Sequence, residues 1–166
     1  MRWLLATRLL VIAFLTVSVC GCSGSQDRGA ENRFDVSAWP EGYTTWTRLN
    51  DAPIYLETER TARNLYVNAT AQARSSGEGG PFPVGSVLVK EERRLEANPQ
   101  GRLRLGDIFR VSVMFKVGKG ETSGWAFKAF DPQNHKEFGR DRVDPDGCYF
   151  CHADASARDY VFSKVR

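Results

Sequence analysis

Near the C-terminus of this 166-residue chain stands Cys148-Tyr149-Phe150-Cys151-His152. Two thiols three positions apart can each add to one vinyl group of a single porphyrin. The adjacent imidazole can then sit under the iron as an axial ligand. The spacing reads as covalent attachment of one c-type haem, with Cys148 and Cys151 as attachment points and His152 as metal ligand. Two other chemistries use similar residues. A redox disulfide of the Cys-x-x-Cys kind belongs to a βαβ setting, and no such pattern surrounds this motif. A zinc site needs four donors, and beyond His152 only His135 and carboxylates remain to complete one.

The place of the motif bears on the other side of the iron. Fourteen residues follow His152, and none is Met or His. A sixth ligand would have to come from upstream, where Met114, His135 and the lysines are the choices. Met114 reads better as a sheet residue and His135 as a surface residue. An open sixth position is the expectation. An open haem binds or transforms small molecules, whereas a closed one mostly carries electrons.

The first residues read as an export leader. Arg2 and Arg8 precede an apolar run, Leu9 to Val19, that is too short for a comfortable membrane span. It ends at Val19-Cys20-Gly21-Cys22, which resembles a bacterial lipoprotein cleavage box with Cys22 as the lipidated residue. The other reading is an ordinary cleaved signal with two incidental cysteines. Both place the chain in the periplasm or at the cell surface, and Ser23 after Cys22 favours the outer membrane. Of four cysteines, two lie in this leader and two in the motif, so none is left for a structural disulfide. Removing residues 1–21 lowers Lys+Arg from 23 to 21 against 20 acidic residues. That near-neutral balance, without a basic cluster interleaved with aromatics, excludes nucleic acid as an expected partner.

The expected organisation is a lipoprotein signal over 1–21, a flexible polar tether over 22–37 and one haem domain over 38–166. Most of the chain's ten Phe, five Tyr and four Trp fall in 38–166 and supply apolar bulk for such a core. Pro40-Glu41-Gly42 opens an expected short helix, with Tyr43, Trp46 and Leu49 on one face. Arg60 to Ala73 reads as a second helix, although Tyr66-Val67-Asn68 suits a strand equally well. Pro83 to Glu91 is β-branched and bounded by Pro and Gly, as a strand is. Ile108 to Val117 alternates, with Phe109, Val111, Val113, Phe115 and Val117 on one face and Arg110, Ser112, Met114 and Lys116 on the other. Gly118 to Gly124 is a hairpin loop and Trp125 to Phe130 the return strand. Asp131 to Gly147 reads as a long polar loop, and Asp159 to Phe162 as a last strand or extended arm. The fold class expected is α+β: an antiparallel meander with flanking helices and the motif at its C-terminal end.

From Tyr43 to Phe162 the chain resembles the cytochrome P-460 family, which includes cytochrome c′-beta. The matching pieces are Tyr43-Thr44-Thr45-Trp46, Tyr66-Val67-Asn68, Gly85 to Glu91 (GSVLVKE), Gly124-Trp125-Ala126-Phe127, the haem motif, and Asp159-Tyr160-Val161-Phe162-Ser163. The resemblance implies an antiparallel sheet, a homodimer, and a five-coordinate haem in a dry pocket. It also implies one of two chemistries. P-460 enzymes oxidise hydroxylamine and carry a lysine bonded to the porphyrin edge; c′-beta proteins lack that bond and bind nitric oxide. Lys90 matches the bonded lysine, Arg63 a basic residue facing the pocket, and Asp154 an acidic residue after the axial histidine. Alternation places Lys90 beside Ser86 and Leu88 and leaves open a solvated strand lysine. The partners implied are a small nitrogen ligand or substrate, a periplasmic electron acceptor, and the membrane through the lipid anchor.

The leader carries its own test. Several acyl chains on Cys22 anchor stably where a single chain binds only marginally. Cys22→Ala should move the protein from the membrane fraction to the soluble one. An unsubstituted protein already free in the periplasm would refute the anchor.

Overall fold

The computed structural model describes residues 35–76, 80–118 and 123–163. The expected leader, Cys22 and most of the tether fall outside these. Alternation of apolar with polar residues builds the longest strand, β5 (Leu103–Lys116), one in from the edge of an antiparallel sheet. It pairs on one side with β4 (Val87–Ala97) and on the other with β6 (Trp125–Phe130). Beyond β4 lies β3 (Thr61–Val67), whose outer edge takes β1 (Thr47–Arg48) and β2 (Ile54–Leu56) at different points. Strands β3 to β6 form the expected antiparallel meander, and the α+β class holds.

Several boundaries differ from the sequence reading. The segment 60–73 is strand β3 followed by the short helix α1 (Ala69–Gln72), not one helix. Pairing along its whole length with β4 overrides the helical propensity of its alanines and Asn68 then ends it. The Asn68 Oδ1 accepts from Ala71 N and Val87 N at 3.0 Å each, and its Nδ2 donates to Gly85 O at 2.9 Å. One side chain thus caps α1 and pins it to the start of β4. The expected helix after Gly42 is a single 3₁₀ turn, Tyr43–Thr45, because the chain extends into β1 two residues later. β4 begins at Val87, after Gly85 (φ 94°) has turned the chain, and runs six residues past Glu91. The segment 131–147 is loop except for a bridge between Phe130 and Glu137 and its last three residues, which open helix α2 (Pro145–Ala153). The segment 159–162 is an arm and not a strand. Asp159 and Tyr160 have φ of 54° and 65°, incompatible with continued pairing.

Both faces of the sheet are covered. One carries Val87, Val89, Val111, Val113 and Phe115 against Tyr43, Tyr66 and Phe130. The other carries Leu88, Met114 and Phe127 against Phe82 and Val161, and it is the face toward α2. On this second face Lys116, 6% exposed, makes an ion pair with Asp159 at 2.8 Å. The same Asp159 accepts from Phe82 N through its other carboxylate oxygen at 2.6 Å, and its carbonyl accepts from Trp125 Nε1 at 2.9 Å. The arm after α2 is therefore tied to the sheet by charge and hydrogen bonds more than by apolar burial.

Removing one partner of a buried ion pair strands the other charge, at a cost of about 3 kcal/mol. Lys116→Met should lower the unfolding free energy by that order, whereas Lys128→Met, whose Glu137 partner is more exposed, should cost at most ~1 kcal/mol. Urea unfolding monitored by tryptophan fluorescence measures both. Equal effects of the two changes would refute a special role for the Asp159 tie.

Candidate functional site

Helix α2 carries the motif and is built by local signals. Asp144 caps it, accepting from Asp146 N at 3.0 Å, and Pro145 fills the first helical position. Within the helix Cys148, Cys151 and His152 fall on neighbouring rows, being three and four positions apart. Phe150, about 200° round from Cys148 at 3.6 residues per turn, points away and is exposed. Cys148 and Tyr149 pack against the core on the sheet face toward α2.

The His152 ring is fixed. Its Nδ1 lies 2.6 Å from the carbonyl oxygen of Tyr160. A carbonyl only accepts, so Nδ1 carries the proton and Nε2 keeps its lone pair for a metal. Phe127 and Phe162 flank the ring at 5.2 and 5.1 Å between centroids. Burial depresses the imidazole's proton affinity, and the nearby Lys90 charge adds to this against the pull of the Tyr160 carbonyl. A neutral imidazole at neutral pH is the form that ligates. Burial likewise raises the Cys148 thiol, opposed by Lys90 and Arg110.

Between α2, the arm and the sheet lies a cavity of about 620 Å³, within the usual range for a cofactor site. Cys148, Cys151 and His152 border it on one side, and Leu65, Leu88, Met114 and Phe127 supply apolar wall from the sheet. Val161 and Phe162 of the arm close one end. Two thiols and an available imidazole nitrogen on one border of a mostly apolar space fit a covalently held haem. Among the described residues, no group of three or more His, Cys, Asp or Glu side chains could hold a bare metal ion. Cys148 and Cys151 are free thiols, not a disulfide.

A polar cluster occupies the middle of the sheet wall. Glu92, 3% exposed, takes two hydrogen bonds from Arg110, at 2.6 and 2.9 Å, and one from Ser112 Oγ at 3.1 Å. Lys90 Nζ lies 3.4 Å from the same carboxylate. Burial alone would raise the Glu92 carboxyl, but the Arg110 hydrogen bonds, the Lys90 and Arg110 charges and the Ser112 hydroxyl outweigh it and hold it below its ordinary range. Arg63 borders the cavity next to this cluster, across β3 from Glu92. Its Nε is buried without a hydrogen-bond partner, while its far end lies 3.8 Å from Glu59.

The structure thus brings Lys90 and Arg63 to the cavity wall with Cys148, Cys151 and His152. Asp154 stands apart: it is exposed at the C-terminal end of α2 and is not among the cavity-lining residues. His135 is also exposed and away from the cavity, whereas Met114 lines it. Glu92, Arg110 and Ser112 were not singled out from sequence. Their signal was available, since three polar residues face the same side of neighbouring strands as Lys90. Tyr160 was also missed as a partner of His152. It contributes a backbone oxygen, which no side-chain pattern reports.

The sequence model of the family described as Cytochrome P460 matches residues 40–163, from the turn before the first strand to the end of the arm. The chain belongs to the Cytochrome P460 family. The match covers the whole sheet, the cavity and α2, and membership implies a haem cofactor and chemistry on small nitrogen species. No individual curated protein matches the chain.

The Glu92 cluster predicts an acid limb in stability. A carboxyl held low in the folded state contributes fully above its unfolded value of about 4.3. The contribution is lost as pH falls through the lower folded value. Glu92→Gln should destabilise the protein by about 2 kcal/mol at pH 7, by weakening the Arg110 and Lys90 contacts. The gap from the wild type should narrow at pH 3.5. Urea unfolding at both pH values decides it, and a gap independent of pH would refute the assignment.

Proposed function

We propose that this chain is a periplasmic, lipid-anchored c-type monohaem protein with an open distal site that binds or oxidises hydroxylamine or nitric oxide. The observation that carries the reading is the His152 Nδ1 bond to Tyr160 O at 2.6 Å, which leaves Nε2 as the one ring nitrogen free to ligate. Cys148 and Cys151 would hold the porphyrin edge as thioethers and His152 would be the axial ligand. When bound, the haem supplies the redox change and a coordination position for the small molecule.

The chain's own residues set the surroundings. Leu88, Phe127 and Val161 keep water from the apolar part of the cavity. Lys90 and Arg110 bring positive charge to the wall, and the buried Glu92 holds both in place. A hydroxylamine or nitroxyl oxygen near that wall would meet an ammonium donor at Lys90, with Ser112 and Glu92 behind it to pass a proton. Arg63, with an unpartnered buried Nε, adds a further donor at the wall. Asp154 would act from the exposed end of the helix. An electron acceptor in the periplasm and a second copy as a homodimer complete the expected partners.

Lys90 separates two versions of the proposal. Lys90 Nζ pairs with Glu92 at 3.4 Å, and a lysine bonded to the porphyrin would have to leave that pair. That ion pair supports the nitric oxide-binding version, in which Lys90 stays a hydrogen-bond donor. In the hydroxylamine-oxidising version Lys90 leaves Glu92 and joins the ring covalently. A third version, electron transfer, draws on Met114 lining the cavity and closing the sixth position.

Purified protein treated with acidified organic solvent should keep its colour, and its ferric spectrum should be high-spin and shift on adding cyanide or nitric oxide. Haem that leaves with the solvent would refute covalent attachment. A low-spin spectrum turned high-spin by Met114→Ala would favour electron transfer. Mass spectrometry of the tryptic haem peptide decides Lys90: a three-way linkage of its peptide, haem and the Cys148–Cys151 peptide marks the hydroxylamine-oxidising version.

A further inference from the structure

The sheet face turned away from α2 carries a second polar centre. Glu91 is 2% exposed and accepts hydrogen bonds from Tyr43 Oη at 3.0 Å, Asn64 Nδ2 at 3.2 Å and Arg93 Nε at 2.8 Å. Aromatic rings continue from Tyr43 in both directions. Toward the sheet stands Tyr66, whose ring centroid is 5.4 Å from that of Tyr43 on the face turned away from the cavity, one residue along β3 from Leu65 of the cavity wall. Outward stands Trp39, at 5.7 Å from Tyr43. Trp39 in turn stacks on His135, with centroids 4.1 Å apart and planes 2° from parallel. The His135 side chain is 48% exposed. A chain of packed rings thus runs from the far face of the sheet, one strand's thickness from the cavity, to solvent.

We infer that Tyr66, Tyr43 and Trp39 form an electron relay that carries oxidising equivalents from the haem cavity through the sheet to the surface at His135, with Glu91 as the proton acceptor of Tyr43. The inference rests on the haem reading above. Aromatic packing alone is ordinary core. What sets this path apart is a base within hydrogen-bond reach of its central phenol, together with a flat, part-exposed ring pair at its outer end. A phenol that loses an electron becomes strongly acidic and must lose its proton as well. Burial and the Glu91 charge push the Tyr43 hydroxyl well above its ordinary range, so at rest it is protonated and the two particles leave together. The groups facing Glu91 and Tyr43 are Tyr66, Asn64 and Arg93, and Arg93 keeps the cluster charge-balanced at rest.

The oxidant is a peroxide that reaches the haem. One hydrogen peroxide takes up two electrons and two protons to give two waters. For each electron, the Tyr43 O–H bond breaks, the electron passes through Tyr66 toward the cavity, and the proton goes to the Glu91 carboxylate. A one-electron donor such as ascorbate then delivers an electron at Trp39, the proton returns from Glu91, and the O–H bond re-forms. Two rounds consume one peroxide, two donor electrons and two solvent protons. The net function is to protect the haem by draining oxidising equivalents to a surface reductant.

The test uses the haem-loaded protein mixed with hydrogen peroxide and frozen for electron paramagnetic resonance. A tyrosyl signal is expected, and Tyr43→Phe should lower it at least fivefold and hasten haem bleaching. Trp39→Phe should prolong the tyrosyl signal and slow peroxide-dependent ascorbate oxidation several-fold. Haem content and cyanide binding, read alongside, should be unchanged in both variants. Haem-containing wild type that consumes peroxide with no tyrosyl signal, or with one equal in Tyr43→Phe, overturns the relay and leaves the haem reading intact. Wild type that purifies without haem overturns the haem reading, and the relay falls with it.

Discussion

The buried ion pair between Lys116 and Asp159 holds the site together from a distance. It fixes the arm after α2, and the arm presents the Tyr160 carbonyl to His152. Neither Asp159 nor Tyr160 is glycine, yet both adopt left-handed backbone angles. Such a conformation costs of order 1–2 kcal/mol per residue and persists only where surroundings impose it. Here the surroundings are named: Lys116 and Phe82 N on the carboxylate, and Trp125 Nε1 on the carbonyl. The orientation of one imidazole is therefore set by a charge at the last residue of β5.

The cavity wall follows a related logic. Three cations, Arg63, Lys90 and Arg110, gather on a surface that also carries Leu65, Leu88 and Phe127. Alone they would repel one another in a space of low polarity. Glu92 allows Lys90 and Arg110 to stand together, since one carboxylate meets both and Ser112 takes up the remaining acceptor capacity. The wall stays positive overall while each of these partners is satisfied.

Much of this was legible in the residues. The motif announced itself through spacing, β5 and β6 through alternation, and the meander through short polar turns. Lys90 and Arg63 came from the family resemblance, not from the pattern. The misreadings share a cause. Residues 60–73 look helical by propensity, and only pairing with β4, a contact far along the chain, makes Thr61–Val67 extended. The row Arg110, Ser112, Met114, Lys116 looked like an ordinary second face of a strand, because a sequence does not say what covers a sheet. At Asp159 the sequence left strand and extended arm both open, since the arm's shape is imposed by Lys116, 43 positions earlier.

Strand β4 holds two chemistries back to back. Lys90 and Glu92 face the cavity, while Val89 and Glu91 face the opposite core. Side chains alternate with a period of two, so inserting or deleting a single residue within the strand would exchange these sets at a stroke. Val89 would enter the cavity and Lys90 would replace Glu91 beside Tyr43. Point changes touch one face; length changes corrupt both. The strand's own irregularities respect this boundary, for the register shifts fall after Glu92, between Glu92 and Leu95. Variation in length has room in the turn at Asn98–Arg102, where Asn98 folds the chain back with its own side chain. Between Val87 and Glu92 the residue count cannot change without exchanging the two faces.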